Sequence, residues 1–163
     1  MSQVWSEINK VVNVKVPFAH VATTSYTTDI VNMENYKKCT FIIQGGAGVA
    51  NTPKVYVYAG VDNVTCATAI PFKYRTQVAA AFSDVQSALT DATSTGFLFT
   101  TATSGGCYIV EVDAADVAAG IAGGDHCALA ISTGALGATH TYGILAVLSE
   151  PRYPQGILVT AID

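Results

Sequence analysis

The stretch KVYVYAGV at residues 54–61 decides the fold class. Val55 and Val57 fall on one face of an extended chain. Tyr56 and Tyr58 fall on the opposite face. Alternation with a period of two residues is typical of a strand, because successive side chains of a strand point to opposite sides. A helix would repeat its apolar residues every three or four positions, so the stretch predicts a strand.

Similar apolar runs, bounded by Gly, Pro, Asn and Thr, recur along the chain. They cover residues 12–18, 39–44, 70–78, 97–101, 108–113, 125–132, 141–148 and 157–162. Several short strands at this spacing are typical of sandwiches and barrels. The sequence therefore predicts an all-β, single-domain β-sandwich or β-barrel of about nine strands with one or two short helices.

Few segments favour a helix. Residues 83–90 and 113–119 each offer a capping side chain and a short apolar face, and Asp113 is the expected N-cap of the second. Residues 23–28 and 91–95 are predicted to be loops, and the glycine-rich residues 44–48 a hairpin connection.

The N-terminal segment has its own pattern. Val4, Trp5, Ile8 and Val12 are spaced as on one face of a helix. A segment this short is marginal as an isolated helix and needs a surface to pack on. We expect one domain over residues 1–163, with residues 1–10 as an N-terminal arm.

Charge is scarce in this chain of 163 residues. Charged residues make up 12%, against about 25% in an ordinary soluble domain, and the mean hydropathy is +0.38. This composition argues against a disordered chain. A net charge of −4 argues against a nucleic-acid partner. A surface so poor in charge indicates a component of an oligomer or larger assembly.

The apolar runs are too short for a membrane-spanning helix, which needs about 20 residues. The N-terminal MSQVWSEINK also lacks the basic-then-apolar order of a signal peptide. The sequence therefore predicts no membrane partner and no secretory export. Without that export, the four cysteines (Cys39, Cys66, Cys107 and Cys127) are expected to be free, buried thiols rather than disulfides.

The sequence contains no recognisable catalytic motif. There is no GxSxG elbow and no clustered zinc-ligand spacing. His20, His126 and His140 each stand on or beside a predicted strand, where a hydrogen-bonded structural histidine is the common case. We therefore expect a protein that is not an enzyme, with no catalytic residue, no cofactor and no metal.

Several segments resemble the head-decoration (cement) proteins of tailed bacteriophages. They are ENYKKCTFIIQGG at 34–46, KVYVYAGVD at 54–62, IPFKYR at 70–75, YIVEVDAADV at 108–117 and ILAVLSEPRYPQ at 144–155. The resemblance spans roughly residues 30–160 and consists of strand and turn patterns. The four cysteines and the start of the chain around Trp5 depart from the family pattern.

The resemblance implies a non-enzymatic, β-rich virion protein. Proteins of this family bind the outer surface of an icosahedral shell and hold neighbouring capsomers together. The implied partners are the major capsid protein and further copies of the chain, as a dimer or trimer. The implied location is the outer capsid surface of the virion, after assembly in the host cytoplasm.

Five residues are the candidate contacts with the capsid or with other subunits: Val4, Trp5, Ile8, Arg152 and Tyr153. Trp, Tyr and Arg dominate interface hot spots. Trp5 has an alternative role, which is to cap the core of its own chain. Arg152 and Tyr153, between two prolines, have the alternative role of a simple turn into the last strand.

Two other functions remain open. The chain could be another virion component, such as a tail or head-fibre subunit. It could also be a β-sandwich carbohydrate-binding module. Exposed coplanar aromatics would favour the module, and the candidates are Tyr56, Tyr58, Phe72 and Tyr74.

Overall fold

The predicted strands assemble into two antiparallel sheets that face each other. A computed structural model of the chain describes residues 4–21, 25–46, 53–77, 85–98, 106–132, 139–153 and 161–162. Each sheet has six strands. The prediction of an all-β fold with two short helices is confirmed, and the architecture is a sandwich.

The strands are named in chain order. They are β1 (Lys10–Val21), β2 (Tyr26–Thr27), β3 (Val31–Asn32), β4 (Tyr36–Gly45), β5 (Lys54–Gly60), β6 (Cys66–Ile70), β7 (Phe72–Gln77), β8 (Thr90–Ala92), β9 (Phe97–Leu98), β10 (Gly106–Asp113), β11 (His126–Ile131) and β12 (Thr139–Pro151). The helices are α1 (Trp5–Ile8) and α2 (Ala114–Gly120). The first sheet has the order β1-β12-β4-β10-β7-β8, and the second β2-β11-β5-β6, with β3 also paired to β11 and β9 to β5.

One hydrophobic core lies between the sheets. The alternation at residues 54–61 is confirmed, since Val55 and Val57 are fully buried and Tyr56 and Tyr58 are partly exposed. The largest buried side chains are Tyr36, Tyr108, Tyr142, Phe41, Met33, Ile43, Ile70, Leu129, Ile131, Ile144 and Leu148. Fully burying one aliphatic or aromatic side chain contributes about 1.5–3 kcal/mol, so this core dominates the stability of the sandwich.

Helix α2 confirms the prediction over residues 113–119. The Asp113 carboxylate accepts a hydrogen bond from the Ala115 N–H at 3.0 Å, as expected of an N-cap. Val117 is buried beneath the helix. In the part of the chain that the structure describes, no helix is long and apolar enough to cross a membrane.

The strand predicted over residues 70–78 is confirmed as β7 at Phe72–Gln77, but Ile70 belongs to a different strand. β6 ends at Ile70 in the second sheet, and β7 begins at Phe72 in the first. Pro71 stands between them and has no N–H to donate to a ladder. The chain therefore changes sheets at Pro71. The alternation of the sequence continues across the proline and does not reveal this change.

The helix predicted over residues 83–90 is wrong for its described part, because residues 85–89 are neither helix nor strand and Thr90 begins β8. The Ser87 N–H donates to the Thr76 carbonyl at 2.8 Å. The Arg75 guanidinium donates to the Ser87 carbonyl at 3.0 Å. These contacts with β7 outweigh a weak helical pattern, because local propensity gives way to tertiary pairing.

The connections differ from expectation in three places. The predicted loops at 23–28 and 91–95 contain β2 and part of β8. β4 and β5 lie in different sheets, so the glycine-rich segment that begins at Gln44 is not a hairpin. Strand alternation in β1 breaks near Lys15, where the pairing with β12 shifts, and Val16 is exposed.

Two predicted strands extend beyond the described residues. Of the strand expected at 97–101, the structure describes the first two residues, which form β9. Of the strand expected at 157–162, it describes Ala161 and Ile162, which are not in a strand.

Candidate interaction site

The N-terminal arm forms a single helical turn on the outside of the sandwich. The Glu7 carboxylate accepts a hydrogen bond from the Val4 N–H at 3.0 Å, and the Asn9 N–H donates to the Trp5 carbonyl at 3.1 Å. No residue of α1 is buried. Trp5 is 56% exposed and Val4 is 60% exposed. The interpretation of Trp5 as a cap of its own core was therefore wrong.

Pairing of β1 with β12 brings the arm to the other predicted contact segment. Lys10 lies opposite Leu148 in the register of the two antiparallel strands. The residues just before β1 consequently meet the residues at the end of β12. A groove of about 550 Å³ forms there, lined by Ile8, Asn9, Ser149, Glu150, Pro151, Arg152 and Tyr153. We call it the arm groove.

The segment after β12 is held against the start of β4. The Arg152 N–H donates to the Asn35 carbonyl at 2.9 Å, and its guanidinium Nε donates to the Tyr36 carbonyl at 3.4 Å. Tyr153 is 66% exposed. Arg152 therefore positions the segment on the sandwich, while the Tyr153 ring is accessible. Pro154, the expected second proline of the turn, lies outside the described residues.

One wall of the arm groove carries an ion pair. Lys38 Nζ lies 2.9 Å from Glu150 Oε1, and the hydrogen bond to Glu150 raises the pKa of Lys38. Both side chains are about half exposed, so the pair adds little to stability. Glu150 has a φ of 54°, a left-handed conformation that a residue other than glycine adopts at some cost.

The arrangement brings all five predicted contacts to one end of the first sheet. Ile8, Arg152 and Tyr153 line the groove directly. Trp5 is the first residue of α1 and Val4 is its N-cap, so both lie within about one helical turn of Ile8. The sequence did not reveal the groove itself, because it depends on pairing between segments near opposite ends of the chain. It also did not reveal the ion pair of Lys38 with Glu150.

The ionisable groups elsewhere do not form a metal site within the described ranges. No group of three or more His, Cys, Asp and Glu side chains there could hold a metal ion. His126 is buried, and its Nδ1 hydrogen-bonds to the carboxylate of neighbouring Asp125. The His20 and His140 side chains lie outside what the structure describes.

The four cysteines are free, as predicted, but only Cys39 and Cys127 are buried, while Cys66 and Cys107 are partly exposed. A hydrogen bond to Cys39, together with burial, raises the pKa of the Cys127 thiol well above its ordinary value. Burial raises the pKa of Cys66 to about 12. Because the thiolate is the reactive form, these thiols are poor nucleophiles at neutral pH.

The four aromatic candidates for carbohydrate binding do not form one platform. Phe72 is buried, and Tyr74 stacks on Phe97 with ring centroids 3.9 Å apart. Tyr56 and Tyr58 lie on the solvent side of the second sheet. Their rings stack on each other at 6.1 Å, with 21° between the ring planes.

Comparisons with known proteins add no relative. The chain matches no protein-family model, no curated protein and no solved structure.

Proposed function

We propose that this protein is a virion structural protein that binds the outer surface of a bacteriophage icosahedral capsid and stabilises it. The observation that carries the proposal is the arm groove with its exposed Trp5 and Tyr153. Two large aromatic side chains stand in solvent beside a concave, partly apolar surface. Aromatic anchors next to a pocket are the usual centre of a protein–protein interface.

The exposed arm supplies a means of attachment. α1 makes hydrogen bonds within itself, and Trp5 and Val4 bury little surface against the sandwich. Moving such side chains from water to a shell surface gains about 25 cal/mol per Å² of apolar area. The arm can therefore dock on the major capsid protein without a cost in core packing.

The sequence composition agrees with such a role. Interface cores are depleted in Lys, Glu and Asp relative to other surfaces, and charged residues make up 12% of this chain. The segments that resemble phage decoration proteins include ILAVLSEPRYPQ at 144–155, which contains the groove residues Arg152 and Tyr153. The proposed partners are the major capsid protein and further copies of this chain. No cofactor takes part.

Deletion of residues 1–9 tests the proposal. We expect the shortened protein to keep its fold, because none of the described residues before Lys10 is buried. We expect it to lose binding to capsids purified without their decoration protein, measured by co-sedimentation. Normal occupancy of the capsids by the shortened protein would contradict the proposed role of the arm in binding.

Point variants make the test sharper. Trp5→Ala and Tyr153→Ala should each weaken capsid binding by about tenfold or more, as is typical of hot-spot residues. Val64→Ala is the matched control, because Val64 is 80% exposed but lies between β5 and β6, away from the arm groove. Equal binding by all three variants would contradict the proposal.

Location on the particle separates the alternatives. Cryo-electron microscopy of complete virions should place the protein on the outer face of the shell. Density on the tail or on head fibres instead would favour the other virion role. Saturable binding on a glycan array, lost in Tyr56→Ala, would favour the carbohydrate-binding module.

A further inference from the structure

The solvent side of the first sheet carries a continuous apolar surface. Residues that lie directly opposite each other in an antiparallel pair point to the same side of the sheet. Val147 lies opposite Val11. Leu145 lies opposite Ile42, and Ile42 lies opposite Ile109. We call Val11, Ile42, Ile109, Leu145 and Val147 the apolar face.

These side chains point away from the core. Their neighbours in sequence, Ile144, Ala146 and Leu148, are fully buried, so the intervening Leu145 and Val147 face solvent. Leu145 is 40% exposed and Val11 is 50% exposed. A soluble sheet with one buried face ordinarily places polar residues at such outward positions. The apolar face departs from that rule across four adjacent strands, although the uncharged polar residues Asn13 and Thr40 lie opposite Leu145 and Val147.

Charges stand at the borders of the apolar face and not within it. Along β7 and β10, Lys73 lies opposite both Glu111 and Asp91, and Arg75 lies opposite Ile109. At the end of β4, Lys38 pairs with Glu150. The surface is therefore an uncharged centre with a charged rim, as in an interface.

We propose that the apolar face binds a second copy of this chain about a two-fold axis. A two-fold axis places residues near the axis beside their own counterparts. A charged residue at the centre would therefore meet a like charge, which is unfavourable. The five residues of the apolar face carry no charge, so the centre satisfies this condition. The proposal deepens the self-association within the proposed function by naming its surface and symmetry.

The size of the sheet suits a stable dimer. With strands of 12, 13, 10, 8, 6 and 3 residues, at about 3.3 Å per residue and about 4.8 Å between strands, the whole outer side of the sheet covers roughly 800 Å². Each partner in a standard-size interface contributes about 800 Å². Two sheets also pack well face to face, with their strands rotated by about 30°. The apolar face and its charged rim together are therefore large enough, and the arm groove at the end of the sheet is left for another partner.

Sedimentation equilibrium of the purified full chain, without any capsid, tests this inference. We expect the mass of a dimer at about 100 µM. Leu145→Glu and Ile42→Lys should each raise the dissociation constant by about 100-fold or more, because each buries a charge without a partner. Circular dichroism and urea unfolding of each variant establish that it is folded.

The control is Val64→Glu, which adds the same charge to an exposed valine outside the apolar face. It should leave the dimer intact. A monomeric or trimeric wild-type mass would overturn the inference. So would a dimer that survives Leu145→Glu, or one that dissociates in Trp5→Ala instead. Because no capsid is present, failure here is distinct from failure of capsid binding.

Discussion

Strands β11 and β12 have similarly apolar sequences but opposite relations to solvent. All six residues of β11, HCALAI, are buried. In the ILAVL segment of β12, residues 144–148, burial alternates and Leu145 remains 40% exposed. The two strands show that an apolar sequence has two different explanations. One strand is covered by its own chain, and the other leaves part of its apolar surface exposed to solvent.

The neighbours of each strand explain the difference. On β11 the outward residues are small, and Ala128 and Ala130 lie opposite Tyr58 and Tyr56 of β5. These rings reach further from the sheet than the methyl groups beside them. On β12 the outward residues are larger, and no such rings flank Leu145, which lies opposite Asn13 and Ile42. Low charge therefore reflects burial in one sheet and an uncovered face in the other.

The largest expected contrast is in thiol reactivity. Cys127 of β11 is fully buried with a raised pKa, so its labelling requires unfolding. Since unfolding costs at least about 5 kcal/mol, labelling at pH 8 should be slower than in urea by about 5,000-fold or more. Half-buried Cys107 of β10 should react faster. Mass spectrometry of labelled peptides measures both, and equal rates would contradict the two-sided burial of β11.

A leucine on each strand gives the next largest effect. Leu129→Ala, at a fully buried position of β11, should lower the free energy of unfolding by about 2–5 kcal/mol. Leu145→Ala on β12 should lower it by about 1 kcal/mol or less, because much of that side chain is already in water. Urea unfolding at low protein concentration checks both values. Similar losses would mean that β12 is covered as β11 is.

Removing a covering ring should have a moderate effect. Tyr58→Ala exposes Ala128 and removes the stacking with Tyr56. We expect a loss of about 1–2 kcal/mol. Tyr153→Ala is the matched control, because Tyr153 is 66% exposed, and its unfolding free energy should barely change. If Tyr58→Ala also leaves the free energy of unfolding nearly unchanged, the tyrosines do not protect β11.

The smallest effect concerns acid stability at the His126 end of β11. The backbone N–H groups of Thr65 and Val64 lower the pKa of Asp62, with a smaller contribution from His126. A lowered folded pKa stabilises the fold above the unfolded pKa of about 3.9, and this contribution is lost as the pH falls through the folded value. Asp62→Asn should therefore lose less stability than wild type between about pH 5 and pH 2, as urea unfolding would show. If the stabilities of Asp62→Asn and wild type fall in parallel over this pH range, the result would contradict a lowered pKa of Asp62 in the fold.

Local patterns predicted much of this fold. Alternation at residues 54–61 predicted both the strand and its buried face, and Asp113 predicted the start of α2. Long-range pairing could not be predicted in this way. The periodicity at 70–78 continues through Pro71, although the chain changes sheets there. The helical pattern at 85–90 gives way to contacts with β7.

The candidate site was predictable by residue type but not by geometry. Trp5 stands out as the only tryptophan of the sequence, and Tyr153 stands out by its place next to Arg152 between two prolines. Their proximity depends on the register of β1 against β12, which joins the first and the last of the strands that the structure describes. The exposure of Leu145 depends in turn on which neighbours fail to cover it. Neither property is encoded in a local run of residues.

The central place of β12 has a consequence for synthesis. β12 separates β1 from β4 in the first sheet, yet it leaves the ribosome after the other strands that the structure describes. A nascent chain therefore holds β1 without its neighbour, and such late, non-local closure folds slowly. The wall of the arm groove at residues 149–153 also emerges at this last stage. A chain terminated before residue 149 would lack that wall, so it would not form the arm groove.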